Sequence, residues 1–121
     1  MTENKKQKQY DLEDRTFNFA KRVRAFVKRL PKTIANIEDG KQVIKASGSV
    51  GANYIEANEA LSKKYFVMRI KICRKEAKES GYWLRLVDTG NSNDLEIERK
   101  KLVTESKELT SIFGAILQKC R

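Results

Sequence analysis

Apolar residues recur at alternating steps of three and four along most of the chain, a spacing that places them on one face of a helix. A first segment carries Leu12, Thr16, Phe19, Val23, Phe26 and Leu30, flanked by Ala20 and Val27. Pro31 ends it, because proline has no amide hydrogen and its ring clashes with the preceding turn. A second segment carries Val43, Ala46, Val50, Asn53 and Ala57, with Tyr54 and Leu61 beside them. The stretch "DGKQ" predicts its start, with Asp39 as cap and Gln42 three residues on, as in a capping box. The third stripe is the most regular: Phe66, Ile70, Cys73, Ala77, Ser80, Leu84 and Val87, with Ser62 as the expected N-cap. The fourth runs Leu95, Leu102, Leu109, Ile112, Phe113, Ile116 and follows "DTGNSND", a run of turn residues in which Asn93 or Asp94 is the expected cap. No stretch alternates with period two over a useful length, so no sheet is expected. Four helices with short connections become antiparallel neighbours, and the predicted fold is all-α, an up-down-up-down four-helix bundle.

The chain of 121 residues fits one domain, here residues 10–121. Residues 1–9, rich in lysine, are expected to form a mobile basic tail. The 40% of hydrophobic residues suffices for one core, while 35% charged exceeds the usual quarter. The chain has no histidine, which removes the commonest general base and transition-metal ligand. Cys73 and Cys120 are too few for a disulfide framework and lack metal-ligand spacing. Cys73 lies on the third apolar stripe and is expected to be a buried small hydrophobe. Glu56-x-x-Glu59 and Glu76-x-x-Glu79 invite comparison with di-iron bundles, but those need histidines as well. Lys63, Lys64, Lys75 and Lys78 lie close enough in sequence to neutralise these acids. Glu56 and Glu79 are therefore expected to pair between the second and third helices, with Asn53 as a further partner. No catalytic residue, cofactor site or metal site is expected, and no enzyme. No apolar run reaches membrane-spanning length and no apolar signal core is found, so the expectation is a soluble cytoplasmic protein.

The stretch "ASGSVGANYIEA", Ala46 to Ala57, could be a phosphate-cradling loop or a helix face of small residues. A phosphate loop needs glycines in a set order between a strand and a helix. Only Gly48-x-x-Gly51 is present, with no following lysine and no preceding strand. The neighbouring Val43, Val50 and Ala57 are seven apart and share a face, which makes the stretch helical. Ser47 with Gly51, and Gly48 with Ala52, then form small-xxx-small pairs that let another backbone approach closely. Each interior glycine costs a helix about 1 kcal/mol relative to alanine, so close contact must recover it. Asn53, on the inward stripe, is either a satisfied core amide that fixes register or a ligand contact.

The net charge of +10 is unevenly placed: residues 1–87 hold twenty basic and ten acidic side chains, and residues 88–121 hold six of each. That asymmetry favours a polyanionic partner, whether RNA, DNA or an acidic protein. Lys21, Arg22, Lys28 and Arg29 on the first helix, with Arg15, form one candidate strip. Lys63, Lys64, Lys71, Arg74, Lys75 and Lys78 on the third form another. Such residues neutralise phosphates without reading sequence. Tyr65, Tyr82 and Trp83 are expected to pack within the bundle or at a subunit seam, with base stacking as the alternative.

"KQVIKASGSVGANYIEA" followed by "SKKYFVMRIKICRKEAKESGYWLRLV" resembles the four-helix-bundle family of proteins encoded in intervening sequences of bacterial large-subunit ribosomal RNA genes, a ribosomal-protein-like family. Accessory variability determinants of diversity-generating retroelements are among its relatives. The matching positions are Gln42, Lys45, Ser49, Val50, Gly51, Asn53, Glu56, Ser62, Phe66 and Glu79. Tyr54 stands where the pattern has a small aliphatic residue. Ala57 replaces a glycine, which lets the second helix run on towards Ala60. The resemblance implies a left-handed antiparallel bundle that assembles into a homo-oligomeric ring, commonly a pentamer, with no settled activity. For the retroelement relatives it implies binding to nucleic acid and to a reverse transcriptase through a basic surface. The expected function is a non-enzymatic accessory protein binding structured RNA or an RNA–protein complex. The alternative is a scaffold for an acidic partner or a reverse transcriptase.

Overall fold

The computed structural model describes residues 12–121. The tail expected at residues 1–9 lies outside the described residues. Four helices follow one another: α1 Leu12–Arg29, α2 Ile34–Asn58, α3 Lys63–Leu86 and α4 Asn93–Lys119. At 1.5 Å per residue they span about 27–41 Å. Each helix packs on its sequence neighbours and α4 returns to α1. The backbones of the diagonal pairs α1/α3 and α2/α4 stay apart among the described residues, and Tyr54 of α2 meets the Phe113 ring of α4 edge to face at 5.8 Å across the core.

The contacts run antiparallel. Near one end of the α1–α2 seam Thr16 meets Gly51, and near the other Val27 meets Gly40. Arg15 reaches Glu105 and Arg22 reaches Glu98 across the α1–α4 seam. The predicted stripes form the core: Phe19, Val23, Phe26, Val43, Val50, Ile70, Leu84, Leu102, Leu109 and Phe113 are all buried. Cys73 is buried with them, and desolvation pushes its thiol up to about 12. Leu61, placed beside the second stripe, is instead fully exposed in the α2–α3 connection.

Two predicted helix starts move. α2 begins at Ile34, not near Asp39, because Thr33 caps it and accepts a hydrogen bond from the Asn36 amide at 3.1 Å. Asp39 and Gly40 therefore lie inside the helix. A Cβ at Gly40 would come within 3.0 Å of Val27 Cγ1, so its missing side chain serves helix packing and not a cap. The early turn showed no apolar signal, since Ile34 and Ile37 are exposed and the inward residue is the polar Asn36. α4 is capped by Ser92, whose hydroxyl accepts from the Leu95 amide at 3.2 Å, one residue before the expected Asn93 and two before Asp94. Ser62 caps α3 as expected, accepting from the Tyr65 amide. α2 ends at Asn58, with Glu59 as its cap, short of Ala60.

The α3–α4 turn passes through Gly90 and Asn91, both at φ 66°. Glycine is required at the first, because a Cβ there would also lie 2.9 Å from Pro31 Cγ. Asn36 ties this end of the bundle together. Its Nδ2 donates to the carbonyls of Pro31 and Asp88 at 2.9 and 2.8 Å, and its Oδ1 accepts from the Asp88 amide at 2.9 Å.

Candidate nucleic-acid interface

The small-residue stretch is helical and lies along α2. A Cβ at Gly51 would fall 2.9 Å from Thr16 Oγ1 and 3.3 Å from Thr16 Cβ. Thr16 is itself buried, with its hydroxyl bonded to the carbonyls of Leu12 and Glu13 at 2.9 Å each. The approach at Gly51 is thus between α1 and α2 of one chain. Gly48 lies under the Arg24 guanidinium, and Ser47 is buried with its hydroxyl donating to the Ile44 carbonyl.

Asn53 is half-buried and fully engaged. Its Nδ2 donates to Ser49 O and Ser49 Oγ, both at 2.9 Å, and its Oδ1 accepts from Arg69 Nη1 at 2.7 Å. Arg69 Nε in turn donates to Tyr65 Oη at 2.9 Å, and its guanidinium carbon sits 5.0 Å from the Tyr65 ring centre. This corrects the expected link between α2 and α3. Glu56 and Glu79 are exposed and make no salt bridge among the described residues, because both point off the seam that Arg69 crosses. Arg69 was missed in sequence, although its place sixteen residues after Asn53, across a short turn, puts the two side by side.

The two basic strips stand on diagonally opposed helices, so they face different sides of the bundle. On α1, Arg22 pairs with Glu98 at 3.4 Å. Arg15 donates to both Glu105 oxygens at 2.7 and 2.8 Å and to Glu108 at 2.6 Å. Those bonds, to Glu105 first, raise the guanidinium's proton affinity above its ordinary value. Lys21 lies 5.7 Å from the Phe17 ring centre, while Lys28 and Arg29 are exposed. Acids of α4 therefore neutralise two of the five cations of the α1 strip, Arg15 and Arg22.

The α3 strip is different. Lys63, Lys64, Lys71, Arg74, Lys75 and Lys78 are all exposed. Among the described residues, the one salt bridge they form is a loose contact of 3.8 Å from Lys75 to its neighbour Glu76. Lys71, Arg74, Lys75 and Lys78 line a groove of about 520 Å³, whose far wall includes Gln118 and Arg121 at the end of α4. A second groove, of about 750 Å³, adjoins it through Val67 and Lys71 and continues past Lys63, Lys64 and Tyr65. Sequence reading did not include Arg85 or Arg121 in this surface. Arg85 was legible, since it lies seven residues beyond Lys78 on the same face.

The three aromatic candidates separate. Tyr65 holds Arg69, and Trp83 packs against the core. Tyr82 is 53% exposed and meets Trp83 edge to face at 5.1 Å. Among the described residues, no group of three or more cysteine, aspartate or glutamate side chains is placed to hold a metal ion. Nor is any helix among them long and apolar enough to cross a membrane.

A crystal structure of a protein of unknown function from the S23 ribosomal protein family of Bacteroides thetaiotaomicron VPI-5482 is similar to this chain. The two share 26% identity and superpose with a TM-score of 0.72, covering 87% of this chain and 96% of that one. No curated protein matches the chain. Residues 8–115 match the family profile described as 23S rRNA-intervening sequence protein. With a match of that extent over the same four helices, the chain belongs to the 23S rRNA-intervening sequence protein family.

Proposed function

We propose that this protein is a non-enzymatic accessory protein that binds nucleic acid, structured RNA or an RNA–protein complex, through the exposed face of α3. The observation that carries the reading is the contrast between the two basic strips: Arg15 and Arg22 of α1 are paired with α4's glutamates, whereas α3's cations are exposed along two joined grooves. Lysines and arginines presented in this way neutralise a phosphate backbone. None of the known sequence-reading motifs accompanies them, so the binding follows charge and shape. Oligomerisation into a ring, commonly five subunits, belongs to the same proposal. Large exposed apolar side chains such as Ile34 and Phe17 support it, because such groups favour contact with another protein surface.

The test is fluorescence anisotropy of labelled structured RNA, duplex DNA and a single strand, repeated across salt. Submicromolar binding should weaken with a log–log salt slope of about −4.2 to −5.4 if some six phosphates are neutralised. Charge reversal at Lys71, Arg74 and Lys78 should abolish it. No binding at low salt would remove the reading. The second reading, a scaffold for an acidic protein or a reverse transcriptase, would then account for the same cations. Light scattering reads the subunit number directly.

A further inference from the structure

The outer face of α3 is ordered along its length. Lys64, Lys71, Lys78 and Arg85 follow one another at intervals of seven residues, and all four are exposed. Seven residues are nearly two turns, so the four side chains form one row with steps of about 10 Å and a span of about 32 Å. Beside it runs a second row at the same interval that includes Lys75 and Tyr82. Tyr82 therefore lies between Lys78 and Arg85 along the helix axis and one step beyond Lys75 in its own row, beside the line a polyanion would follow. It is the one aromatic of the three candidates with more than half its surface open, at 53% exposed. The edge-to-face contact with Trp83, which is anchored on the core, restrains the ring from below. An exposed, restrained ring among cations is what base stacking requires, because every base offers a π-face whatever its sequence.

We infer that Tyr82 is a base-stacking platform at the end of the α3 cation row, so that this face selects RNA in which an unpaired nucleotide lies beside a stem. The inference rests on the nucleic-acid reading above and sharpens its substrate class. The row of cations follows the backbone of the stem, and Tyr82 takes the base that is free to leave the stack. In a fully paired A-form duplex the bases are stacked inside and none reaches the ring, so only the charge contribution remains.

The experiment compares two fluorescein-labelled RNAs that differ by a single nucleotide and its phosphate, a fully paired duplex and the same duplex with a one-nucleotide bulge. The wild-type protein should bind the bulged RNA about tenfold more tightly. Tyr82→Ala should erase that preference and leave duplex affinity within about twofold, whereas Tyr82→Trp should keep it. A 2-aminopurine at the bulge should be quenched by the wild-type protein and not by Tyr82→Ala. Circular dichroism checks that each variant remains helical, and Tyr82→Phe, which keeps the ring, supplies the conservative control. If Tyr82→Ala affects both RNAs equally, or neither, while reversal of Lys71, Arg74 and Lys78 still abolishes binding, the stacking inference alone is overturned. If neither RNA binds at low salt, the cations serve an acidic protein and both readings fall.

Discussion

Arg69 of α3 donates from Nη1 to Asn53 Oδ1 of α2 at 2.7 Å, and this bond fixes how the two helices slide past one another. Asn53 spends both amide hydrogens on Ser49, so its oxygen is the acceptor left for α3. Tyr65 holds Arg69 from the other side. Asn53→Ala and Arg69→Ala should each lower stability by about 1–2 kcal/mol, the range for a hydrogen bond to a charged group at a half-buried site. The double variant should lose less than the sum, with a coupling of about 1 kcal/mol in urea unfolding. Strict additivity would show that the bond does not hold the helices in register.

The glycines of α2 differ in what surrounds them. At Gly51 a methyl group would strike Thr16, which is fully buried and held by its own hydroxyl bonds. At Gly48 it would meet only the end of the Arg24 side chain at 3.3 Å, and that side chain is exposed and can move. Gly51→Ala should therefore cost about 1–2 kcal/mol, overpacking outweighing the gain in helix propensity. Gly51→Leu should prevent native packing altogether. Gly48→Ala should be neutral or stabilising by up to about 1 kcal/mol. Thermal melts of the three variants read the ranking, and an equal response at both glycines would contradict the α1–α2 contact.

The stripes, their order and the bundle were legible because a core-facing helix must repeat its apolar residues every three to four positions. The start of α2 was not legible, because its inward residue there is Asn36, a polar side chain that earns its burial through three hydrogen bonds to two loops. Periodicity sees hydrophobicity and cannot see satisfied polarity. The same limit hid the Arg69–Asn53 bond and suggested Glu56 and Glu79 in its place. Both basic strips were visible as charge, but their separation was not. It depends on which helices are diagonal and on the pairing of Arg15 and Arg22 with glutamates some eighty residues away.

The Glu96 carboxyl is held below the ordinary carboxylate range, first by the Thr89 hydroxyl, which donates at 2.6 Å, and then by Arg99. Arg99 also donates to the Val87 carbonyl, so the pair closes the α3–α4 turn. A depressed folded-state value means that ionised Glu96 contributes its stability above the unfolded value of about 4.3. That contribution is lost as pH falls through the lower, folded value. Thr89→Val should raise the Glu96 value towards the ordinary range and move acid unfolding to higher pH. The carboxyl carbon shift in an NMR titration reports the first effect and helical circular dichroism the second. An unchanged titration would show that the hydroxyl does not sustain the shift.

The proposed binding along α3 is one-sided, and that separates the two basic strips. The α1 cations Lys28 and Arg29 are as exposed as those of α3, yet they stand on the diagonal helix, beside arginines already spent on α4. A nucleic acid lying along α3 cannot also reach them within one chain. Lys28→Glu with Arg29→Glu changes the net charge by as much as Lys71→Glu with Lys78→Glu. If only net charge mattered, the two double variants would weaken RNA binding alike. If α3 is the face, the α3 pair should reduce affinity at least tenfold and flatten the salt slope by about 1.4–1.8, two phosphate contacts' worth. The α1 pair should shift affinity by no more than a few-fold, through long-range steering that disappears above about 0.15 M salt. Equal losses with equal slopes would assign the binding to the whole surface instead of to α3.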